Sequence, residues 1–465
     1  MQHSPEMPTE IEASAIPIDL LARLSRPGPR YTSYPTAPVM TAAYTADDYI
    51  SDLRAHAQDP LSLYFHIPFC RHVCLYCACN VIYTANRKRS EPYLELLKRE
   101  IELLAPHARG PVRQLHWGGG TPTFLAPEQI ESLGRSILDH FDQAAGAEWG
   151  VELDPRETTA EHIAALTEVG FNRASIGVQD FDPHVQRAIH RTQSVEMVAG
   201  LVQSLREQGY RSVNFDLIYG LPEQTVDGFK NTMRAVMDLR PDRISLFHFA
   251  HLPDLKKHQR RIKTESLPST DDRLRILKMA VDLLLESGYL HIGMDHFALP
   301  EDELARAQAA HQLHRNFQGY TTHGECSLLG LGVTSIGNLG DSFAQNKREL
   351  VSYGAALREG RLPIDRGYRL SADDRLRRHV IMELMCHFSL NKRDVESRFG
   401  IDFESHFAGE LAALAGFEQD GLVMRDANGL QVTARGRFAI RNICMTFDAH
   451  LEALRAGGQR FSKTV

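Results

Sequence analysis

The sequence predicts an α/β protein, a partial (β/α)6 barrel followed by a mainly helical C-terminal domain. Three observations predict it. Short apolar β-rich runs alternate with amphipathic stretches from residue 61 to residue 295. The alternation supplies about six β/α units, which suits an open barrel better than a closed eight-fold one. From roughly residue 365 the pattern changes to helices and a turn-linked pair of short strands.

Taken in order, strands are expected over residues 61–69, 112–117, 150–153, 173–178, 212–218, 243–249 and 291–295, where β-branched and aromatic residues cluster between turn signals. Between them, apolar residues recur at helical spacing over 91–104, 127–141, 160–169, 195–207, 226–239 and 270–286. Strand, crossover helix and strand repeated this often imply a parallel sheet with right-handed connections. Helices follow over 373–386, 392–399 and 403–414, and the Asp426-Ala427-Asn428-Gly429 turn signal sits inside a hairpin over 421–432. That ending is similar to a winged-helix module. Arg435, Arg437 and Arg441 could suggest DNA binding, but a lid over the barrel mouth suits the acidic chain better. The expected division is 1–55 as an N-terminal segment, 56–364 as the barrel and 365–465 as the helical domain with its small hairpin.

Composition narrows the function. A chain of 465 residues with 43% hydrophobic content can bury a sizeable core, and its net charge of −7 argues against non-specific nucleic-acid binding. No apolar run approaches the roughly 18 residues of a membrane span. Residues 1–16, with Glu6, Glu10 and Glu12, lack a basic start and an apolar stretch, so no export signal is read and a cytoplasmic protein is expected. The scattered Cys326, Cys386 and Cys444 read as small buried hydrophobes.

The densest chemical signal is Cys70-Arg71-His72-Val73-Cys74-Leu75-Tyr76-Cys77, with Cys79 two residues on. Three thiolates at C-x3-C-x2-C spacing can hold an iron-sulfur cluster while leaving one iron open to a ligand; electron-transfer clusters are usually closed by four cysteines. A zinc knuckle or a disulfide cluster would also use four cysteines within ten residues. Neither fits well, because no second ligand pair stands at zinc-finger distance and no export signal is visible. The loop directly follows the 61–69 run, so it leaves the end of a strand, where α/β folds carry their chemistry.

This spacing resembles that of the radical S-adenosylmethionine (radical SAM) superfamily. The words Arg30-Tyr31-Thr32-Ser33-Tyr34-Pro35-Thr36-Ala37, His66-Ile67-Pro68-Phe69-Cys70, Cys77-Ala78-Cys79-Asn80 and His314-Arg315-Asn316-Phe317-Gln318-Gly319-Tyr320-Thr321-Thr322 closely resemble one of its families, the oxygen-independent coproporphyrinogen III oxidases or dehydrogenases. The resemblance runs from about residue 25 to the C-terminus. It implies a radical SAM barrel, a 4Fe-4S cluster on Cys70, Cys74 and Cys77, and two S-adenosylmethionine molecules.

By that resemblance Trp117-Gly118-Gly119-Gly120-Thr121 is the glycine-rich turn that holds the methionine part of the cofactor, since glycines let a ligand approach the backbone. Tyr64, Gly119, Glu152 and Ile336 match positions associated with the molecule on the cluster. Tyr76, Gly120, Thr121, Gln179, Arg191, Asp216 and Ala250 match those of the second. Singly, such residues would read as caps or surface ion pairs. Tyr76 stands where phenylalanine is common, and either ring can stack on adenine. Ala78 stands where glycine is often seen. Cys79 is a candidate catalytic residue; related haem chaperones usually carry phenylalanine there and lack the 30–37 segment.

The resemblance implies anaerobic oxidative decarboxylation of two propionates of coproporphyrinogen III to vinyl groups, giving protoporphyrinogen IX, through a 5'-deoxyadenosyl radical. Four propionates call for cationic donors, and Arg30, His251, Lys256, Lys257, Arg260 and Arg261 are candidates. The N-terminal segment is expected to contribute to the substrate cavity. A one-electron donor such as flavodoxin or ferredoxin, no nucleic acid, no membrane and a monomer complete the expectation. Two rivals remain: a haem-delivery protein on the same fold, and a radical enzyme that methylates or opens a tetrapyrrole.

Overall fold

A computed structural model describes residues 17–464; the reading made on residues 1–16 lies outside the described residues. Six parallel strands form the barrel wall: β1 (Leu61–Ile67), β2 (Val112–Gly119), β3 (Gln143–Leu153), β4 (Arg173–Gln179), β5 (Ser212–Tyr219) and β6 (Arg243–His248). Each is followed by a helix at an expected place, and five of those helices have the expected bounds (Glu91–Leu104, Ala160–Val169, Val195–Glu207, Val226–Leu239, Thr270–Glu286). The helix from Pro127 stops at Leu138, short of the expected end.

Local chemistry accounts for these elements. In Glu91–Leu104, Tyr93, Leu94, Leu97, Ile101 and Leu104 recur at three- to four-residue intervals and are buried against the sheet. The helix Ala160–Val169 begins at Thr159, whose hydroxyl accepts the His162 N–H, and ends at Gly170 with φ +115°, a left-handed C-cap open to glycine. Strand β1 is buried on both faces because helices cover one side and the barrel interior the other.

The sheet continues beyond these six on both sides. Leu290–Gly293 (β7) and His296–Ala298 (β8) form an antiparallel hairpin on β6, so the strand expected over 291–295 is not a seventh parallel unit; Asp295 lies in its turn. A separate hairpin, β9 (His314–Asn316) with β10 (Gly319–Thr321), precedes β11 (Ser327–Leu331). Strand β11 runs parallel to β1, and β12 (Ile336–Leu339), β13 (Ser342–Asn346) and β14 (Ile364–Arg369) extend it antiparallel. The order is β14-β13-β12-β11-β1-β2-β3-β4-β5-β6-β8-β7, and β14 and β7 do not pair. The barrel is therefore partial.

The C-terminal region packs Ala372–His387, Lys392–Phe399 and Ile440–Cys444 around a second apolar core. The helix expected over 403–414 is broken at Phe407 into Phe403–His406 and Ala408–Ala413. The hairpin β16 (Val423–Arg425) and β17 (Gly429–Val432) is joined by β15 (Ser389–Asn391), completing a three-stranded wing. Arg441 is buried and donates to the carbonyls of Gly28, Pro29, Lys463 and Thr464, and Tyr31 donates to Asp448 at 2.9 Å. No helix among the described residues is long and apolar enough to cross a membrane.

Candidate functional site

Period-two alternation decides what faces the barrel interior. Along β3, Trp149, Val151 and Leu153 enter the core, while Glu148, Glu152 and, just past the strand, Asp154 line a cavity of about 460 Å³. Strands β4 and β5 add Ser175, Gly177, Gln179 and Asn214, Asp216 by the same rule. The cysteine loop closes the top. Phe69 and Cys70 pair with Ile82 and Tyr83, which brings the two ends of the loop together. Loop carbonyls are held from a neighbouring segment: Gln259 Nε2 donates to Tyr76 O at 2.9 Å, Lys256 Nζ to Cys79 O at 2.9 Å, and His258 Nε2 lies 2.7 Å from Cys77 O.

Cys70, Cys74 and Cys77 all line this cavity as free thiols. Three thiols on one cavity match the donor set of an iron-sulfur cluster with one iron left open. Cys74 Sγ faces two guanidinium donors, Arg156 Nη2 at 3.2 Å and Arg191 Nη1 at 3.6 Å, and Cys70 Sγ is 3.5 Å from Thr121 Oγ1. Such donors stabilise negative charge on cluster sulfurs. Burial pushes the Cys70 thiol up to about 12. The hydrogen bond from Cys79, ahead of the opposing effect of burial, brings Cys77 down to about 7. Cys79 itself is exposed at the cavity rim, and its N–H donates to Cys77 Sγ at 3.4 Å.

The glycine turn has a structural reason as well as an open face. Gly119 has φ +104°, and a Cβ there would stand 2.3 Å from the His66 ring. At Gly120 it would meet the Ile67 and Phe69 carbonyl oxygens at 2.7 Å. Only glycine lets this turn lie against the end of β1 while Gly120 and Thr121 donate to Ile67 O and Phe69 O. Glu152 Oε2 accepts the Gly119 N–H at 3.0 Å, and Oε1 is 3.5 Å from His116 Nε2. Burial opposes charge on Glu152, but His116 and the Gly119 N–H hold its carboxyl below the usual range.

Opposite, Asp154 Oδ2 accepts from Arg156 at 2.6 Å and Arg191 at 3.0 Å. Burial would raise its pKa; Arg191 and Arg156 overcome that and keep it ionised. Asp216 behaves differently. Burial, then the charge of Glu152, pushes its carboxyl up to about 6, although Ser175 and Asn214 both donate to it at 2.9 Å. Gln179 is buried at φ +66°.

Most predicted site residues thus meet at one cavity: Tyr76, Gly119, Gly120, Thr121, Glu152, Gln179, Arg191 and Asp216 with the three cysteines and Cys79. Tyr64 and Ile336 do not line it. They line a second space of about 300 Å³ that shares Glu152, His116 and Gln318 with the first. Ala250 lines neither; its carbonyl accepts from Gln259, behind Tyr76. Sequence reading missed His66, His116 and Arg156 as partners, although each stands inside a quoted motif or beside one. None of the six cations expected to meet propionates lines the 460 Å³ cavity, and Arg30 is paired with Asp295 at 2.7 Å. Cys386 and Cys444 are buried as expected, but Cys326 is only partly so.

Residues 64–236 match the radical SAM superfamily and residues 370–439 the HemN C-terminal domain. A relative from Pseudomonas aeruginosa strain PAO1, an oxygen-independent coproporphyrinogen III oxidase, is 48% identical over 454 residues, covering 96% of this chain and 98% of its own. The protein of that name from Escherichia coli K12 is 45% identical over 447 residues, with 96% and 98% covered. The solved structure of coproporphyrinogen III oxidase (HemN) from Escherichia coli, described as a radical SAM enzyme, superposes with a TM-score of 0.90 at 44% identity, covering 93% of this chain and 99% of that one.

Proposed function

The chain belongs to the oxygen-independent coproporphyrinogen III oxidases of the radical SAM superfamily, and on that premise we propose how its residues divide the work. It is an oxidoreductase of porphyrin and haem biosynthesis that converts two propionates of coproporphyrinogen III to vinyl groups by anaerobic oxidative decarboxylation. A 4Fe-4S cluster and S-adenosylmethionine, when bound, supply an electron and a 5'-deoxyadenosyl radical able to take hydrogen from an unactivated carbon.

Cys70, Cys74 and Cys77 hold the cluster, and Cys79, exposed beside them, stays off it. Glu152 with the backbone at Gly119 receives the charged end of one S-adenosylmethionine, and Tyr64 and Ile336 flank it. Tyr76, Gly120, Thr121, Gln179, Arg191, Asp216 and Ala250 serve a second molecule. Two cofactors are supported by the two adjoining spaces that share Glu152. Cys79 is assigned a role in hydrogen transfer or in positioning the second molecule. The observation that carries the reading is the convergence of the three cysteines, the glycine turn and Glu152 on one cavity.

Domain roles follow the same division: 1–55 contributes to the substrate cavity, 56–364 is the barrel and 365–465 the C-terminal domain. Support for the first is that Thr32, Ser33 and Tyr34 line a large cavity of about 1050 Å³, which shares Asn316 and Thr321 with the radical site. A one-electron donor such as flavodoxin or ferredoxin is supported by the exposed basic rim beside the loop, with Arg71, Lys257, Arg260 and Arg261. Seven cysteines, all free, support a reducing compartment, the cytoplasm. A monomer is part of the same proposal.

The test is anaerobic. The reconstituted enzyme receives S-adenosylmethionine, a strong one-electron reductant and coproporphyrinogen III, and 5'-deoxyadenosine and protoporphyrinogen IX are followed together. Both form, and Cys70→Ser abolishes both. Deoxyadenosine without decarboxylated product would overturn the substrate; neither product with tight haem binding would favour a haem-delivery protein.

A further inference from the structure

Beyond the cysteine loop, on the far side of Glu148, the turn between β10 and β11 gathers three ligands of different chemistry. A ring nitrogen of His323, a carboxylate oxygen of Glu325 and the sulfur of Cys326 all lie within 4.8 Å of one another, the one such trio of His, Cys, Asp or Glu among the described residues. His323 Nδ1 is 3.8 Å from Glu325 Oε1, and Cys326 Sγ is 3.9 Å from the same oxygen. Bonds of 2.0–2.3 Å to one tetrahedral ion put such ligands about 3.5–4 Å apart. The free side chains therefore stand close to coordination spacing.

A second observation points the same way. The other imidazole nitrogen, His323 Nε2, faces Glu148 Oε2 at 3.7 Å, and Glu148 is itself fixed by Arg173 at 3.5 Å and by the Gln114 amide at 3.3 Å. A carboxylate behind one ring nitrogen orients the other towards a metal and raises its basicity. Here that carboxylate is only 15% exposed and comes from a different strand, β3.

The turn is also built rather than loose. The His323 N–H donates to Thr321 Oγ1 at 3.1 Å, and Ser327 bonds Pro60 O and Asp59 Oδ2. A Cβ on Gly324 would fall 2.2 Å from the His314 ring, so the turn is pressed against β9. One contact competes: exposed Arg113 lies 3.6 Å from Glu325 Oε1. Both side chains are about half exposed, so this pair is weak and replaceable.

We propose that His323, Glu325 and Cys326 form a binding site for a zinc-class divalent cation, oriented by Glu148 and distinct from the cysteine loop. A nitrogen, oxygen and sulfur donor set selects a borderline-soft ion over magnesium or calcium, which take oxygen. Three protein ligands leave one position free, and all three line the 1050 Å³ cavity, so that position opens where a ligand carboxylate could reach it.

The test uses cluster-loaded, full-length enzyme under anaerobic conditions, so that the cysteine loop is already filled. Zinc chloride is added, loosely held metal is removed with a weak chelator, and retained zinc and iron are measured by elemental analysis. The expected result is stoichiometric zinc with unchanged iron, and a zinc-edge X-ray absorption spectrum containing one Zn–S bond near 2.3 Å. Cys326→Ser should remove the Zn–S feature, and His323→Gln should weaken zinc retention about ten-fold or more. Glu148→Gln should weaken it without altering the ligand set. Failure of the wild-type enzyme to retain zinc, a spectrum without sulfur, or full retention by both ligand variants would overturn the proposal. The wild-type spectrum decides even where a variant folds poorly.

Discussion

Arg191 Nη1 stands 3.0 Å from Asp154 Oδ2 with both side chains under 10% exposed, and Arg191 Nη2 donates to the Gly177 carbonyl at 2.6 Å. One guanidinium thus ties the end of β3 to β4 directly beneath Cys74. Breaking one side of a buried ion pair leaves the other charge uncompensated, which costs about 3–5 kcal/mol. Asp154→Asn should therefore lower thermal stability strongly. Because both groups belong to one network, Asp154→Asn combined with Arg191→Met should cost less than the sum of the single changes. Additive losses in melting temperature would contradict the coupling.

The cysteines should separate by role. Serine in place of Cys70, Cys74 or Cys77 should abolish the reconstituted iron content and deoxyadenosine formation together. Cys79→Ala should keep the iron, since Cys79 lies at the rim and alanine retains the N–H that donates to Cys77 Sγ. Iron analysis and the cluster's absorbance distinguish the two outcomes.

Gly120→Ala places a methyl 2.7 Å from two carbonyl oxygens of the β1 end, neither of which can swing away as a side chain would. Overpacking of this kind costs about 1–3 kcal/mol, and here the displaced backbone is the cofactor turn. S-adenosylmethionine affinity, read by equilibrium binding to the cluster-loaded enzyme, should fall about ten-fold or more. A variant with ordinary stability and unchanged binding would argue against the turn's role.

Glu100 supplies a pH dependence. It is fully enclosed, accepting from Gly332 N at 2.8 Å, Asn346 Nδ2 at 2.6 Å and the Tyr353 hydroxyl. Burial, only partly offset by Tyr353, Gly332 and Asn346, pushes its carboxyl up to about 7 from 4.5. The folded state then holds the proton more tightly than the unfolded one. Its contribution is complete below pH 4.5 and lost as pH rises through 7; between pH 5.5 and 8 that is about 2 kcal/mol. Glu100→Gln removes the titration, so the melting temperature of the wild type relative to this variant should drop over that range.

The barrel was legible because its strands and helices keep their periods. The helices at 91–104 and 160–169 were readable to the residue, since each pairs an apolar stripe with a clear start or stop. What escaped was pairing between distant segments. The strand at 291–295 looks parallel-like from composition, yet Asp295 makes the turn of an antiparallel hairpin, and no local signal says which neighbour a short strand will choose. Phe407 breaks a helix whose apolar pattern continues across it.

The site was legible in part for the same reason. Cysteine spacing and consecutive glycines are local, so Cys70, Cys74, Cys77, Gly119 and Gly120 could be named in advance. His116 behind Glu152, and Arg156 on Cys74, depend on which face of a strand points inward. The alternation of Gln114 and His116 with Leu115 and Trp117 along β2 carried that signal. A polar residue at every second place in an otherwise apolar strand marks the inside of an open barrel.

Arg441 grips the carbonyls of Gly28 and Pro29 from more than four hundred residues away in the chain. On a ribosome adding about 5–20 residues each second, the segment at 28–31 waits roughly 20–80 s for that partner. The six barrel strands are all made within that interval. Tyr31 and Tyr34 wait as long for Asp448 and Ala449, so the Thr32–Tyr34 wall of the large cavity takes its final supports from the far end of the message.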